Sequence, residues 1–330
     1  MSQQWYFLRI AIISFCFLLI SCETNINPLV SPIDSTGYEV ELTQNEMVLS
    51  GQSVTPDQHR VVFHSEKDIQ KWMNDSDASA DYTEVVFGDE VLTIPAGLFE
   101  NCSSITTVDM GNGVVCVESK AFYGCVNLTS VVWSPSLTRI ESSAFEGCGI
   151  RELILPQSVT TIQDFAFANC IELETCFLPD SITEMGCNFT DCTALKMVHL
   201  PACLESLEDY SFSGCTALES VIIPAAVKVL GYDVFSDSSI VCMVIAGELD
   251  VILSLRTSNM PFLKQIVFCG MPPKKYGYVA GESFGLMNND NSDVTVYCMD
   301  EYLENFSPTD GKWNGFSLIA LSDLAALPPQ

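Results

Sequence analysis

Gly281-Glu282-Ser283-Phe284-Gly285 has the spacing of a nucleophile elbow, the sharp strand-to-helix turn that lifts a serine toward a carbonyl substrate. Such a serine needs an acid and then a histidine downstream to take its proton. The three histidines, His59, His64 and His199, all lie upstream. Pro272-Pro273-Lys274-Lys275 stands where the strand should be, and Asn288-Asn289-Asp290-Asn291 where the helix should be. A serine hydrolase using Ser283 is therefore a remote alternative, and a serine in a glycine-bounded loop is the better account. Asp75, Asp77, Ser79 and Asp81 have calcium-loop spacing, but Ala80 and Val86 occupy the places where an EF-hand needs glycine and glutamate. A solvated acidic turn explains them. His59 and His64 have no third ligand nearby, and the 15 cysteines include no C-x-x-C pair of the kind that structural zinc sites use. Neither a metal nor a cofactor is expected, and the chain is not expected to be an enzyme.

The bulk charge narrows the partners. The 330 residues carry 14 Lys+Arg against 42 Asp+Glu, a net charge of -28. Phosphate recognition needs a basic footprint, so this balance argues against a nucleic-acid partner. Apolar residues make up 48% of the chain, so the acidity does not signal disorder.

The N-terminus carries an address. Residues 10–20, IAIISFCFLLI, form an apolar run too short to span a bilayer as a helix and of the length of a signal-peptide core. The run ends in Leu19-Ile20-Ser21-Cys22, which resembles a bacterial lipobox. That resemblance implies removal of residues 1–21 and acylation of Cys22, anchoring the protein to a membrane in the bacterial envelope, expected to be the outer membrane. Several acyl chains together give stable attachment. Residues 22–56 then read as the lipidated cysteine and a tether, with Pro28, Pro32 and Pro56 and little periodicity. Only one acid, Glu23, follows Cys22, whereas surface-export signals place several there.

The middle of the chain repeats. Phe recurs at 99, 122, 145, 167, 189, 212 and 235, with gaps of 23, 23, 22, 22, 23 and 23. Three residues after the first six comes a cysteine: Cys102, Cys125, Cys148, Cys170, Cys192 and Cys215; the seventh has Ser238. A fixed period of this size marks a solenoid. Each cysteine is followed by a strand-like segment: ITTVDM, LTSVVW, IRELIL, LETCFL, LKMVHL or LESVII, with first, fourth and sixth residues apolar almost throughout. Pro135, Pro156, Pro179, Pro201 and Pro224 then stop the strand. A second apolar pair follows, such as Leu137/Ile140 or Val227/Leu230. Tyr82, Val85 and Phe87 extend the frame backward; Ile240, Met243 and Ile245, then Leu263, Ile266 and Phe268, extend it forward.

The recurring Ala-Phe-x-x-Cys step resembles the BspA-type leucine-rich repeats of bacterial surface proteins. The resemblance covers 82–268 and implies a leucine-rich-repeat solenoid: mainly β, with a parallel sheet of about nine strands, turns and short helical segments. It also implies a surface protein that binds a protein or glycan in adhesion or host interaction. A periplasm-facing structural or envelope-assembly lipoprotein is the alternative. Small α/β caps are expected at 57–81 and 269–330. In the first, Arg60–Phe63 reads as a strand and Ser65-Glu66-Lys67-Asp68 as a helix start, with Ile69, Trp72 and Met73 on its apolar face. In the second, 294–298 reads as a strand and 299–306 as a helix, with Trp313, Phe316, Leu318 and Ile319 as anchors.

The fifth residue of each strand segment should point away from the core. That column reads Val86, Asp109, Val132, Ile154, Phe177, His199, Ile222, Val244 and Val267. The candidate binding face is Val132, Ile154, Phe177, His199, Ile222 and Val244, with Arg151, Glu174, Lys196 and Glu219 alternating in sign beside it. An apolar outward column has two explanations, strand propensity and a contact stripe. The cysteines are expected as buried thiols that act as small hydrophobes.

Overall fold

A computed structural model gives the structure of residues 60–74, 82–253, 260–273, 275–276, 294–306, 311–313 and 316–322. The chain divides into two units. One, Ser53–Ala320, holds the repeats; the other, Met1–Gln52 with Leu321–Gln330, lies almost wholly outside the described residues. Cys22, His59, the Asp75–Asp81 loop and Ser283 are outside them too.

Every repeat is one coil with two strands. The strand expected after each cysteine is present: Thr107–Asp109, Ser130–Val132, Glu152–Ile154, Thr175–Phe177, Met197–His199, Ser220–Ile223, Cys242–Ile245 and Gln265–Phe268, preceded by Glu84–Glu90. Their pairing is parallel, each residue opposite its equivalent one coil on, as in Cys176↔Leu153 and Cys176↔Val198. The second apolar pair proves to be a second ladder of two-residue strands, such as Arg139–Ile140 beside Thr161–Ile162. The first, fourth and sixth segment positions point inward: Ile150, Leu153 and Leu155 are all buried. Leu137, Ile140, Val159 and Ile162 close the core from the second ladder.

The third side is a turn built on the Phe residues. From Phe99 to Phe235 the rings form one stack, with neighbouring centroids 5.2–6.0 Å apart and planes within 15°. Stacked pairs of this kind add about 0.5–1.5 kcal/mol each beyond area burial.

Two coils are one residue short, and both shortenings show in the fold. Cys148 reaches Ile150 through Gly149 alone, where Cys125 reaches Leu128 through two residues. A Cβ at Gly149 would collide with the Val126 carbonyl, so only glycine allows so tight a turn. The first-face sheet is interrupted at this coil, between Ser130–Val132 and Glu152–Ile154. The second shortening lies between Met185 and Phe189. Asn188, buried where the adjacent coils have Ala166 and Ser211, fills the place: Oδ1 accepts from Ala166 N (3.0 Å), and Nδ2 donates to Gly186 O (3.0 Å). The Phe167–Phe189 step beside it is the longest in the stack, at 6.0 Å. The second ladder is interrupted here, between Glu184–Met185 and Ser206–Leu207. The first-face sheet has a further break between Met197–His199 and Ser220–Ile223.

The caps join the ladder, so the sheet is longer than the repeats alone predict. Arg60–Ser65 pairs in parallel with Glu84–Glu90, and Thr295–Met299 with Gln265–Phe268. The helix Glu66–Met73 starts as expected, with Asp68 Oδ2 accepting from Ser65 N at 2.9 Å. Ile69 is buried and Trp72 packs edge-on against Phe63, 5.8 Å between centroids. Met73, expected on the apolar face, is exposed: it stands in the last turn of the helix, and only Ile69 of the apolar face is buried. At the other end the helical segment is a 3-10 helix, Asp300–Phe306, and Cys298 lies buried inside its strand. Phe268, Phe306 and Trp313 pack edge-to-face with centroids 5.1–5.5 Å apart. Phe316 and Leu321 are the buried anchors of the last strand; Ile319 falls on its outer side and is exposed.

Candidate functional site: the outer face of the sheet

Alternation along each three-residue strand puts its first and third side chains outside. Ile154, Phe177 and His199 stand opposite one another in register, and so do Glu152, Thr175 and Met197. Val132 belongs to the neighbouring hydrogen-bonded run, opposite Asp109. Val132, Ile154 and Phe177 are 57%, 55% and 39% exposed, and His199 is exposed as well. These residues therefore present apolar surface to solvent, at positions that strand propensity and a contact surface would both favour.

The expected column is not uniform. Ile222 is half-buried and Val244 is only 5% exposed. Val244, Val267 and Tyr297 lie in register on longer strands, and all are buried with Cys242 and Gln265 beside them. Burial and a hydrogen bond from Gln265 act on the Tyr297 hydroxyl in opposite senses; burial dominates and raises its pKa. This end of the outer face is closed to solvent, so Val244 drops out of the candidate surface. Met197, 51% exposed, joins it. The alternation of LKMVHL could have found Met197, because the third residue of each segment points the same way as the fifth.

The flanking charges are arranged differently from simple alternation along one line. Lys196 pairs with Glu174, whose carboxyl it holds below the usual carboxylate range. Arg151 pairs with Glu172 at 3.6 Å rather than with Glu174, because Glu172 lies in the turn just before the strand. All four side chains are exposed, so solvent screening leaves each pair contributing little to stability.

The six ladder cysteines are free thiols. Five ladder cysteines, from Cys125 to Cys215, are buried, and Cys102 is half-buried in the first coil. Each buried thiol does more than fill space. Cys125, Cys148, Cys170, Cys192 and Cys215 donate to the carbonyl of the Phe one coil earlier, at 3.1–3.3 Å. Burial pushes Cys125, Cys170 and Cys215 up to about 12. Thiols held protonated this firmly are poor nucleophiles and poor metal ligands. Among the described residues no group of three or more His, Cys, Asp or Glu is placed to hold a metal, and no helix is long and apolar enough to cross a membrane.

Two parallel ladders, an inward apolar column on each and a stacked third side define a leucine-rich-repeat solenoid. The profile of the BspA type leucine rich repeat region matches residues 77–149 and 116–241 in six copies, half of the chain. The chain belongs to that family, whose fold is typically non-catalytic. No curated protein matches the chain significantly. Among solved structures it is similar to a leucine-rich repeat protein from Bacteroides ovatus, at 24% identity over 73% of either chain, with a TM-score of 0.48. It is also similar to a leucine-rich repeat protein of T. pallidum, at 22% identity over 58% of this chain and 82% of that one, TM-score 0.43. The pneumococcal vaccine antigen PcpA is 15% identical over 79% of this chain and 83% of that one, with a TM-score of 0.36.

Proposed function

We propose that this protein is a lipid-anchored, non-catalytic component of the bacterial cell envelope that binds a protein or glycan partner through the outer face of its sheet. The observation that carries the reading is the outward-facing, exposed set of Val132, Ile154, Phe177 and Met197, with Ile154 and Phe177 opposite one another and held in register by parallel pairing. A rigid strand loses little entropy when a partner docks, and contiguous exposed apolar surface marks interaction sites. The membrane attachment rests on the Leu19-Ile20-Ser21-Cys22 sequence and the tether that follows it. Adhesion at the cell surface is the role such a face would serve.

The test compares the wild-type chain with Ile154→Asp/Phe177→Asp as baits for proteins and glycans of host and neighbouring cells. Both side chains are exposed, so the variant should fold and melt normally while its capture of a partner is lost. Retained capture by the folded variant contradicts the assignment of the face. Protease shaving of intact cells should remove the protein; survival would favour the periplasm-facing alternative.

A further inference from the structure

Phe165 and Tyr210 stand on a different side of the coils, in the turns that carry the buried Phe stack. Each lies two residues before a stacked ring, Phe167 or Phe212, and one coil separates them. The position takes a left-handed backbone: φ is 65° at Gly97, 60° at Lys120, 57° at Ser143, 60° at Phe165 and 58° at Tyr210. Glycine adopts that conformation freely, and a bulky aromatic does so under strain. Packing does not offset the strain, since Phe165 is 44% exposed and Tyr210 49%.

The shortened coil between them lacks the left-handed residue; Cys187, half-buried, stands there in the place that Tyr232 takes one coil after Tyr210, its carbonyl accepting from Phe165 N at 3.0 Å. Asp164 reaches over it, with Oδ1 accepting from Cys187 N at 3.3 Å and lying 3.8 Å from Cys187 Sγ. At about 4.8 Å per coil, the two aromatic positions stand about 9.6 Å apart. A cation midway would be about 5 Å from each position, within the ~6 Å over which a ring face attracts a cation, and the Asp164 carboxylate, bonded to the coil between, adds negative charge there.

The surrounding charge selects the occupant. From Glu141 to Val227 the sequence holds thirteen acids and two Lys/Arg, Arg151 and Lys196. Both bases are ion-paired on the sheet face. No basic side chain of these coils is left to fill the space between the rings.

We propose that Phe165, Tyr210 and Asp164 form a slot that receives one cationic side chain, Lys or Arg, from a partner protein. The slot is separate from the outer sheet face and does not depend on what that face binds.

The probe is a fluorescein-labelled Gly-Ser peptide carrying four arginines, followed by fluorescence anisotropy at physiological salt with the full-length protein. Phe165→Gly/Tyr210→Gly leaves the net charge unchanged and relieves the left-handed strain, so it should melt at or above the wild-type temperature. It should bind the peptide about ten-fold more weakly. Phe165→Leu/Tyr210→Leu, which keeps apolar bulk but no ring, should lose affinity to the same extent. A peptide with citrulline in place of arginine should not bind, and Ile154→Asp/Phe177→Asp should bind the arginine peptide as wild type does. Wild-type affinity in both ring-deleted variants would overturn the proposal, as would equal binding of the citrulline peptide; either result would reduce the interaction to nonspecific attraction or apolar contact.

Discussion

Cys148 donates its thiol hydrogen to the carbonyl oxygen of Phe122, one coil earlier, across 3.2 Å. The same carbonyl also accepts from Cys125 N within its own coil, at 3.2 Å. The Phe turn is thus tied twice, once along its own coil and once to the next. Ser238, which replaces cysteine in the seventh repeat, shows why sulfur suits the place. Its hydroxyl turns back to Phe235 O of its own coil at 2.7 Å, the shorter C–O bond reaching a nearer acceptor.

Cys148→Ala removes both the volume of the thiol and its bond to Phe122 O. The expected loss is about 1–2 kcal/mol, which lowers Tm by about 2–8 °C for a unit of this size. Cys148→Ser should lose less, because its hydroxyl can adopt the Ser238 arrangement. Equal losses in thermal melts of the two variants would show that the thiol contributes volume only.

Stability should fall in alkali. Cys125, Cys170, Cys215 and Cys242 are pushed up to about 12 by burial, against 9.0 for the free thiol. Below pH 9.0 folded and unfolded chains are both protonated at these groups, so the stabilisation is fully present. As pH rises from there toward about 12, the unfolded chain releases protons that the folded chain keeps, and stability is lost. Each thiol contributes a slope of up to about 1.4 kcal/mol per pH unit in that window. Urea unfolding at pH 7, 9 and 10 checks this; a flat profile above 9 would mean that the thiols are not buried as a column.

Asn188→Ala should be costlier than a surface change, by about 2–3 kcal/mol, because Gly186 O would lose one donor and Ala166 N its shorter partner. Hydrogen exchange should quicken first at Ala166 and Phe167. A loss under about 0.5 kcal/mol would mean that water takes over the role of the carboxamide at no cost.

The repeat was legible because its chemistry recurs in register. Phe122 and Cys125 have equivalents every 22 or 23 residues, and one buried coil forces the same pattern on the next. The second ladder was legible only as apolar pairs such as Leu137/Ile140, since two residues are too short for alternation to declare a strand. The outer face was legible as far as alternation decides direction, which placed Ile154 and Phe177 correctly outside. It failed at Val244, because alternation says which side a residue faces and not whether that side is covered. The left-handed turns at Phe165 and Tyr210 left no trace in residue type, since neither residue favours that conformation.

A single coil cannot stand alone, because it leaves the edges of its ladders and the faces of its Phe ring open until neighbours cover them. The direct measurement is circular dichroism with urea unfolding on a fragment of about two coils, residues 120–170, beside the intact chain. The fragment should show no sheet signal and no cooperative transition, while the intact chain unfolds cooperatively. A fragment that unfolds in its own sharp transition would contradict the account.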